Sequence, residues 1–440
     1  MSPPTQSRQH ANSIWSAAVA VVRPEPLVES AVGLIEEIRN ARRVLVVGAG
    51  KAGAGMAFGL EAALAEKLGC VEGLVNVPAG MTAPLKRIRL HPARPQGVNE
   101  PTAEGVAGAE EMLRLLASSG PEDVAVCLLS GGGSALLPAP ETGITLADKL
   151  AVTKLLHRSG ATIDEMNCVR KHLSRVKGGR LAEAFQGKLL VSLIMSDVVG
   201  DPLDVIASGP TAPDPTTFAE ALDVLKRYGL LSNAPPSIVS HLEGGRAGKI
   251  AETPKAIPAN IVNQVIGSNR VALNAASQKA KELGYRVLDL GAFIEGETHH
   301  TATAVAGVVR SIRVDATPVP SPACILIGGE TTVSLGEKPG KGGRNQEFVL
   351  AMIAKLGLDG MKGVTVLSGG TDGEDGPTDA AGAVADAETI LRFQERGISP
   401  QEHLERHDAY SCFEKVQGLL KTGLTGTNVM DIRVVLIHGL

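Results

Sequence analysis

Short runs of aliphatic and β-branched residues alternate along the chain with longer stretches whose apolar positions recur every three or four residues. The short runs predict strands at Val44–Gly48, Gly73–Val77, Val124–Ser130 and Leu189–Ser196, then at Ile261–Ile266, Arg286–Leu290, Ala323–Ile327, Gly363–Leu367 and Ile432–Ile437. Strands that are apolar throughout and separated by helical stretches indicate parallel sheets covered on both faces. The expected fold class is therefore α/β, as two three-layer α/β/α domains, the N-terminal one a Rossmann-like parallel sheet. The stretch HLEGGRAGKIAETPKAIP, from His241 to Pro258, loses periodicity and gathers Gly, Pro and charge. It sets the expected domains at 1–243 and 259–440, with 244–258 as linker. Ile14–Val22 is too short an apolar run to span a membrane and predicts an amphipathic first helix.

Length agrees with two cores, since 440 residues exceed the usual size of one domain. A net charge of −4 and only 2% aromatic residues leave little with which to stack or attract a nucleic acid, so no nucleic-acid or membrane partner is expected. Five scattered cysteines without C-x-x-C pairing read as reduced thiols of a cytoplasmic protein. With 51 glycines, the chemistry is expected in the loops that follow the strands.

The first of those loops is GAGKAG, from Gly48 to Gly53, which fits the G-x-G-x-x-G pattern of a dinucleotide-binding turn. That pattern also asks for an acid at the end of the next strand. Glu72, at about the right distance, instead precedes the apolar run. Lys51, inside the turn, suits a phosphate or carboxylate and has no evident use in hydride transfer. Gly48, Gly50 and Lys51 are thus candidates for phosphate binding. Ser130-Gly131-Gly132-Gly133-Ser134 is a second candidate, because consecutive glycines let backbone amides curl around an anion. The G-x-S-x-G order of a hydrolase elbow is absent there.

Further along, Arg170, Lys171, His172, Arg175, Lys177 and Arg180 read either as a solvated basic face or as cations overhanging the same site. Asp197 stands at a strand end, where Mg²⁺ would find a carboxylate; Asp201, Asp204 and Asp214 suit turn capping. The second half repeats the grammar with Gly329-Glu330, with Lys341, Gly343, Arg344 and Asn345 before a helix, and with Asp372, Glu374, Asp375 and Asp379 in one loop. Arg344 is a candidate anion clamp, Asp197 a candidate general base or metal ligand, and Asp372 and Asp375 candidate metal ligands. Glycine nests, a lysine, an arginine and strand-end carboxylates are together the parts of a phosphotransferase.

VVGAGKAGAGMA, LLSGGGSALLPAP, SDVVGDPLDVIASGPTAPDPTT, GKGGRNQEFVLA and SGGTDGEDGPTDAAGA resemble the class II glycerate kinases, the MOFRL-containing group in which some members bear hydroxypyruvate reductase names. The resemblance runs nearly full length. It implies a C-terminal MOFRL-type domain, an active site in an interdomain cleft, and phosphorylation of D-glycerate to 2-phosphoglycerate with ATP and Mg²⁺. A homodimer is compatible with it. The family's functional lysine and arginine fall on Lys51 and Arg344. One departure bears on substrate preference: members run His-Pro-x-Pro-Asp where this chain has His91-Pro92-Ala93-Arg94-Pro95. The rival expectations are an NAD(P)H-dependent hydroxypyruvate reductase and a ligand-binding protein without turnover.

Overall fold

In the computed structural model, which describes residues 6–95, 98, 100–336 and 338–439, the first half forms strands β1 (Val44–Ala49), β2 (Val71–Pro78), β3 (Ile88–Arg94), β4 (Val124–Leu129), β5 (Leu189–Met195) and β6 (Ile261–Gly267). Their order is β3-β2-β1-β4-β5-β6, and the four pairs from β3 to β5 are parallel. Val44, Val46, Val126 and Leu128 face one core, with Met56 and Leu60. Leu45, Val47, Cys127 and Leu129 face the other, with Met112 and Leu116. Helices on both sides explain why these strands are apolar at every position.

β3 escapes sequence reading because IRLHPAR carries charge and Pro92. A proline cannot donate to a sheet ladder, and β3 is an edge strand. Helices Leu146–Arg158, Ile163–His172, Phe218–Arg227 and Pro236–Arg246 form a further lobe around Val152, Leu156, Val169, Leu222 and Leu242. Thr145 with Asp148, Thr162 with Glu165, and Thr217 with Glu220 begin three of them with reciprocal capping boxes.

The second half holds β7 (Arg286–Asp289), β8 (Ala323–Gly329), β9 (Val364–Gly370), β10 (Gly382–Ala385), β11 (Leu419–Leu420) and β12 (Asp431–Ile437), in the order β11-β10-β9-β12-β8-β7. This sheet is mixed and not parallel as expected. β12 runs antiparallel to both β8 and β9, β10 runs antiparallel to β9, and β7 is parallel to β8. An apolar run buried on both faces reads alike in either direction, so composition could not tell that the last strand enters the middle of the sheet reversed. On one face of the sheet, Phe348, Ile353, Phe393 and Phe413 pack on Ile325 and Val435.

The compact units are Pro24–Ile266 and, separately, the segment ending at Arg23 joined with Gly267–Leu440. Both expected boundaries therefore move. The 244–258 segment and β6 belong to the first unit, where Leu190 N–H donates to Asn260 O at 2.9 Å. The first helix, Gln6–Val21, belongs to the second: Trp15 Nε1 donates to Gly369 O at 3.2 Å. Pairing partners, which a local pattern does not encode, decide both assignments. None of the described helices is long and apolar enough to cross a membrane, and all five cysteines are free thiols.

Candidate functional site

Within the first unit, the turn after β1 meets the turn after β4. Gly48 and Gly50 are needed for this approach, since a Cβ on them would stand 2.2 Å from Leu128 O and 1.9 Å from Ser130 Oγ. The amides of the turn are already engaged: Gly50 donates to Asn76 O (3.1 Å), Lys51 to Gly131 O (2.9 Å), Ala52 to Ser130 Oγ (3.0 Å) and Gly53 to Gly50 O (3.2 Å). Gly48 and Gly50, expected to cradle phosphate, instead weld two strand ends, and buried Ser130 braces them. Glu72, at the opposite end of β2, pairs with Arg43 Nε at 2.7 Å.

The second glycine loop behaves differently. Among the described residues the amides of Gly131, Gly132 and Ser134 make no hydrogen bond, so this loop keeps the open donors expected of an anion nest. Gly132 lies at φ 77°, and a Cβ there would stand 3.3 Å from Arg94 Nη2, 3.4 Å from Lys51 Cγ and 3.8 Å from Lys51 Cε. Two cations thus converge on one glycine. Lys51 is half-buried and its ammonium makes no hydrogen bond or ion pair among the described residues. Arg94 is buried, its Nε has no partner, and desolvation draws its pKa below the ordinary arginine value.

A cavity of about 660 Å³ opens beside this loop, lined by Gly132, Gly133 and Ser134. Of the basic stretch, Arg170 and Lys177 reach it. Ser134 Oγ accepts from Arg170 Nη2 at 2.5 Å and from Lys177 Nζ at 2.8 Å, and lies 3.0 Å from Ser208 Oγ. The other four basic residues are structural: Lys171 pairs with Asp204 and Asp214, His172 with Glu252, Arg175 with Glu110, and Arg180 with Glu141. Burial, and then the charges of Arg170, Lys149 and Lys171, drive the Lys177 pKa well below that of an ordinary lysine. Asp197 lines the same cavity, as does Lys149, which sequence reading passed over. Burial and then Arg170 pull the Lys149 pKa down to about 7.

In the second unit, Gly343 is the N-cap of the helix Arg344–Met361 and Gly329 closes β8. Arg344 grips Asp431 with a fork, Nε to Oδ2 at 2.7 Å and Nη2 to Oδ1 at 3.0 Å, while Nη1 meets Glu330 at 3.0 Å. Burial opposes its charge, but Asp431 and Glu330 raise its pKa further above the usual range. Asn345 donates through Nδ2 to Asp431 at 2.8 Å. Asp375, expected as a metal ligand, is buried and accepts the backbone amides of Asn345 (3.0 Å) and Gln346 (2.8 Å). Burial pushes its pKa up to about 7. It caps the helix with both oxygens and does not fit a metal. Asp372 accepts Glu374 N–H at 3.2 Å one turn away. Asp431 and Arg433 were missed, although a charged pair at alternate positions of an apolar run (DIRVVLI) is the available signal of a buried ion pair.

The family models divide the chain differently from the compact units. Residues 10–243 match a family described as a domain of unknown function, DUF4147, and residues 323–431 match the MOFRL family. A Pyrococcus horikoshii glycerate 2-kinase is 40% identical over 91% of this chain and 89% of its own length. The D-glycerate 2-kinase of Thermotoga maritima is 35% identical over 99% of this chain and all of its own. The chain belongs to the glycerate kinase family. A crystal structure of a Thermotoga maritima glycerate kinase superposes with a TM-score of 0.88 at 35% identity, covering 99% of this chain and 100% of that one. An Agrobacterium vitis protein provisionally named hydroxypyruvate reductase is 42% identical over 98% of this chain and 94% of its own, so that name occurs within the glycerate kinase family.

Proposed function

We propose that this chain is an ATP-dependent glycerate 2-kinase that moves the γ-phosphoryl group of ATP to the 2-hydroxyl of D-glycerate. The observation that carries this reading is the meeting of Lys51 and Arg94, two cations without carboxylate partners among the described residues, at the open amides of Gly131 and Gly132. As the bond from the C2 oxygen to phosphorus forms, the bond from the γ-phosphorus to ADP breaks and the hydroxyl proton leaves to solvent. Lys51 sits to neutralise charge on the transferring group. Arg94 takes the glycerate carboxylate, for which a guanidinium is the natural partner.

Among the described residues no three or more His, Cys, Asp or Glu gather into a metal cage. Mg²⁺ carried by nucleotide phosphates needs only one or two carboxylates. Asp197, in the cavity wall, suits that role and would hold the ion, which supplies charge neutralisation on the phosphates. Against the reductase, the Gly50–Gly53 amides are not available to a pyrophosphate, and Glu72 lies at the wrong end of β2 for a ribose.

Arg94→Leu raises the KM for D-glycerate by about 10–100-fold, the usual effect of losing one charged hydrogen-bond donor. Steady-state kinetics at saturating ATP measure it, and an unmoved KM removes Arg94 from the substrate site. For the activity itself, purified protein is given ATP with D-glycerate, and separately NADH with hydroxypyruvate. ADP release in the first supports the kinase; NADH oxidation in the second without ADP release in the first supports the reductase.

A further inference from the structure

Asn76 is a fully buried carboxamide in β2, where its neighbours Leu74, Val75 and Val77 are apolar. A buried amide costs free energy unless its polar atoms find partners. Here Nδ2 donates to Leu136 O at 2.7 Å and to Gly105 O at 3.2 Å, while Oδ1 has no partner among the described residues. The side chain therefore serves only as a donor of two hydrogen bonds. Its backbone adds a third link, because Asn76 O accepts the Gly50 N–H at 3.1 Å.

Each link leads to a different part of the candidate site. Gly50 immediately precedes Lys51 in the turn after β1. Leu136 ends the short helix Gly133–Leu136, whose N-cap is Gly132. A helix of four residues leaves its last carbonyls without internal partners, so Leu136 O needs an outside donor. Gly105 lies in the first turn of the helix Ala103–Ala117, and the N-cap of that helix, Thr102, donates through Oγ1 to Ala93 O at 2.5 Å. Ala93 is the residue before Arg94. The lysine turn, the glycine loop and the strand that carries the arginine are thus all tied to one asparagine.

Packing holds that asparagine in a single position. A Cβ on Gly108, in the helix Ala103–Ala117, would stand 2.1 Å from Asn76 Oδ1 and 2.7 Å from His91 Cδ2. The helix backbone is pressed against the carboxamide, which leaves the amide no room to swing away from its two acceptors.

We infer that Asn76 is a positioning residue for phosphoryl transfer, which through one backbone acceptor and two side-chain N–H donors fixes Lys51, the amides of Gly131 and Gly132, and Arg94 relative to one another. The inference rests on the kinase reading for the step that is positioned. Being fully buried, Asn76 acts through these groups and not on the substrate.

Three variants test it, with kcat measured per folded molecule. Asn76→Leu keeps the volume and removes both donors; its kcat falls by about 10²-fold, the scale of a misplacement of about 1 Å at a reacting centre. Gly108→Ala displaces the carboxamide from the helix side, at a position where alanine is otherwise the better helix former, and lowers kcat about ten-fold. Asn76→Asp gives a readout that a merely structural role would not move. Its carboxylate would face two carbonyl oxygens in a buried place, which raises its pKa, and only the protonated acid can donate a hydrogen bond. The ratio of variant to wild-type kcat therefore rises as pH falls, by about ten-fold between about pH 8.5 and about pH 6. Amide hydrogen exchange in residues 50–53 and 133–137, followed by mass spectrometry, quickens about ten-fold in Asn76→Leu and needs no turnover. A wild-type protein that fails to phosphorylate D-glycerate contradicts the kinase reading, and the exchange rates then decide the inference alone. Where Asn76→Leu does not fold, the other two variants decide it. Wild-type kcat in Asn76→Leu and Gly108→Ala, an Asn76→Asp ratio that does not rise as pH falls, or unchanged exchange in both segments overturns it.

Discussion

Lys51→Ala lowers kcat/KM for D-glycerate by about 10³-fold and leaves the melting temperature unchanged. A factor of 10³ corresponds to about 4 kcal/mol of transition-state stabilisation, the scale expected when a preorganised charge facing a developing anion is removed. The fold does not need this side chain: Lys51 is half-buried, and its ammonium makes no hydrogen bond or ion pair among the described residues. What holds the turn is its backbone, through Lys51 N–H to Gly131 O at 2.9 Å, and alanine keeps that bond. Lys51→Arg restores little, because the stem already passes 3.4 Å from the Cβ position of Gly132 and Arg94 Nη2 stands 3.3 Å from the same point. Steady-state kinetics and a thermal melt on the same preparation check both halves. A kcat/KM within a few-fold of wild type removes Lys51 from the chemistry.

Asp431→Ala destabilises the protein by about 3–5 kcal/mol, the range for breaking a buried ion pair by removing one partner. Asp431 is fully buried at the start of β12, between Gly329 of β8 and Gly370 of β9. It accepts from Arg344, Asn345 and Arg433. Without it, Arg433, whose Nε and Nη1 already lack partners, keeps only the Thr331 hydroxyl and the face of Phe348. Asp431→Asn keeps the shape and the acceptor oxygen facing Arg344, and costs less. Urea unfolding gives the difference directly, and a loss in the alanine variant under about 1 kcal/mol would mean that the arginines are solvated rather than paired.

Five strands of the first sheet and the family were legible in the sequence because each depends on local order: an apolar run, or a glycine turn with a lysine inside it. The direction and place of β12 were not, since a run buried on both faces carries no arrow. Gly48 and Gly50 were misread for a related reason. A glycine needed for strand-to-strand contact and one needed for a phosphate are the same letter, and only the hydrogen bonds of the amides beside them tell the two apart. Asp375 looked like a metal ligand until its oxygens were found on the amides of Asn345 and Gln346. Lys149 is one lysine among many in the sequence. Its spacing with Lys154 and His157 was visible, but its burial and lack of a partner depend on helices far along the chain. Arg94 drew notice only as a departure from the family pattern, and its convergence with Lys51 on Gly132 appeared with the fold.

The most direct measurement is proton-coupled phosphorus NMR of the product formed from ATP and D-glycerate by the purified wild-type protein. The account predicts a new phosphomonoester whose phosphorus couples to the single C2 proton, together with an equal amount of ADP. Coupling to the two C3 methylene protons, or no phosphorylated glycerate at all, contradicts it.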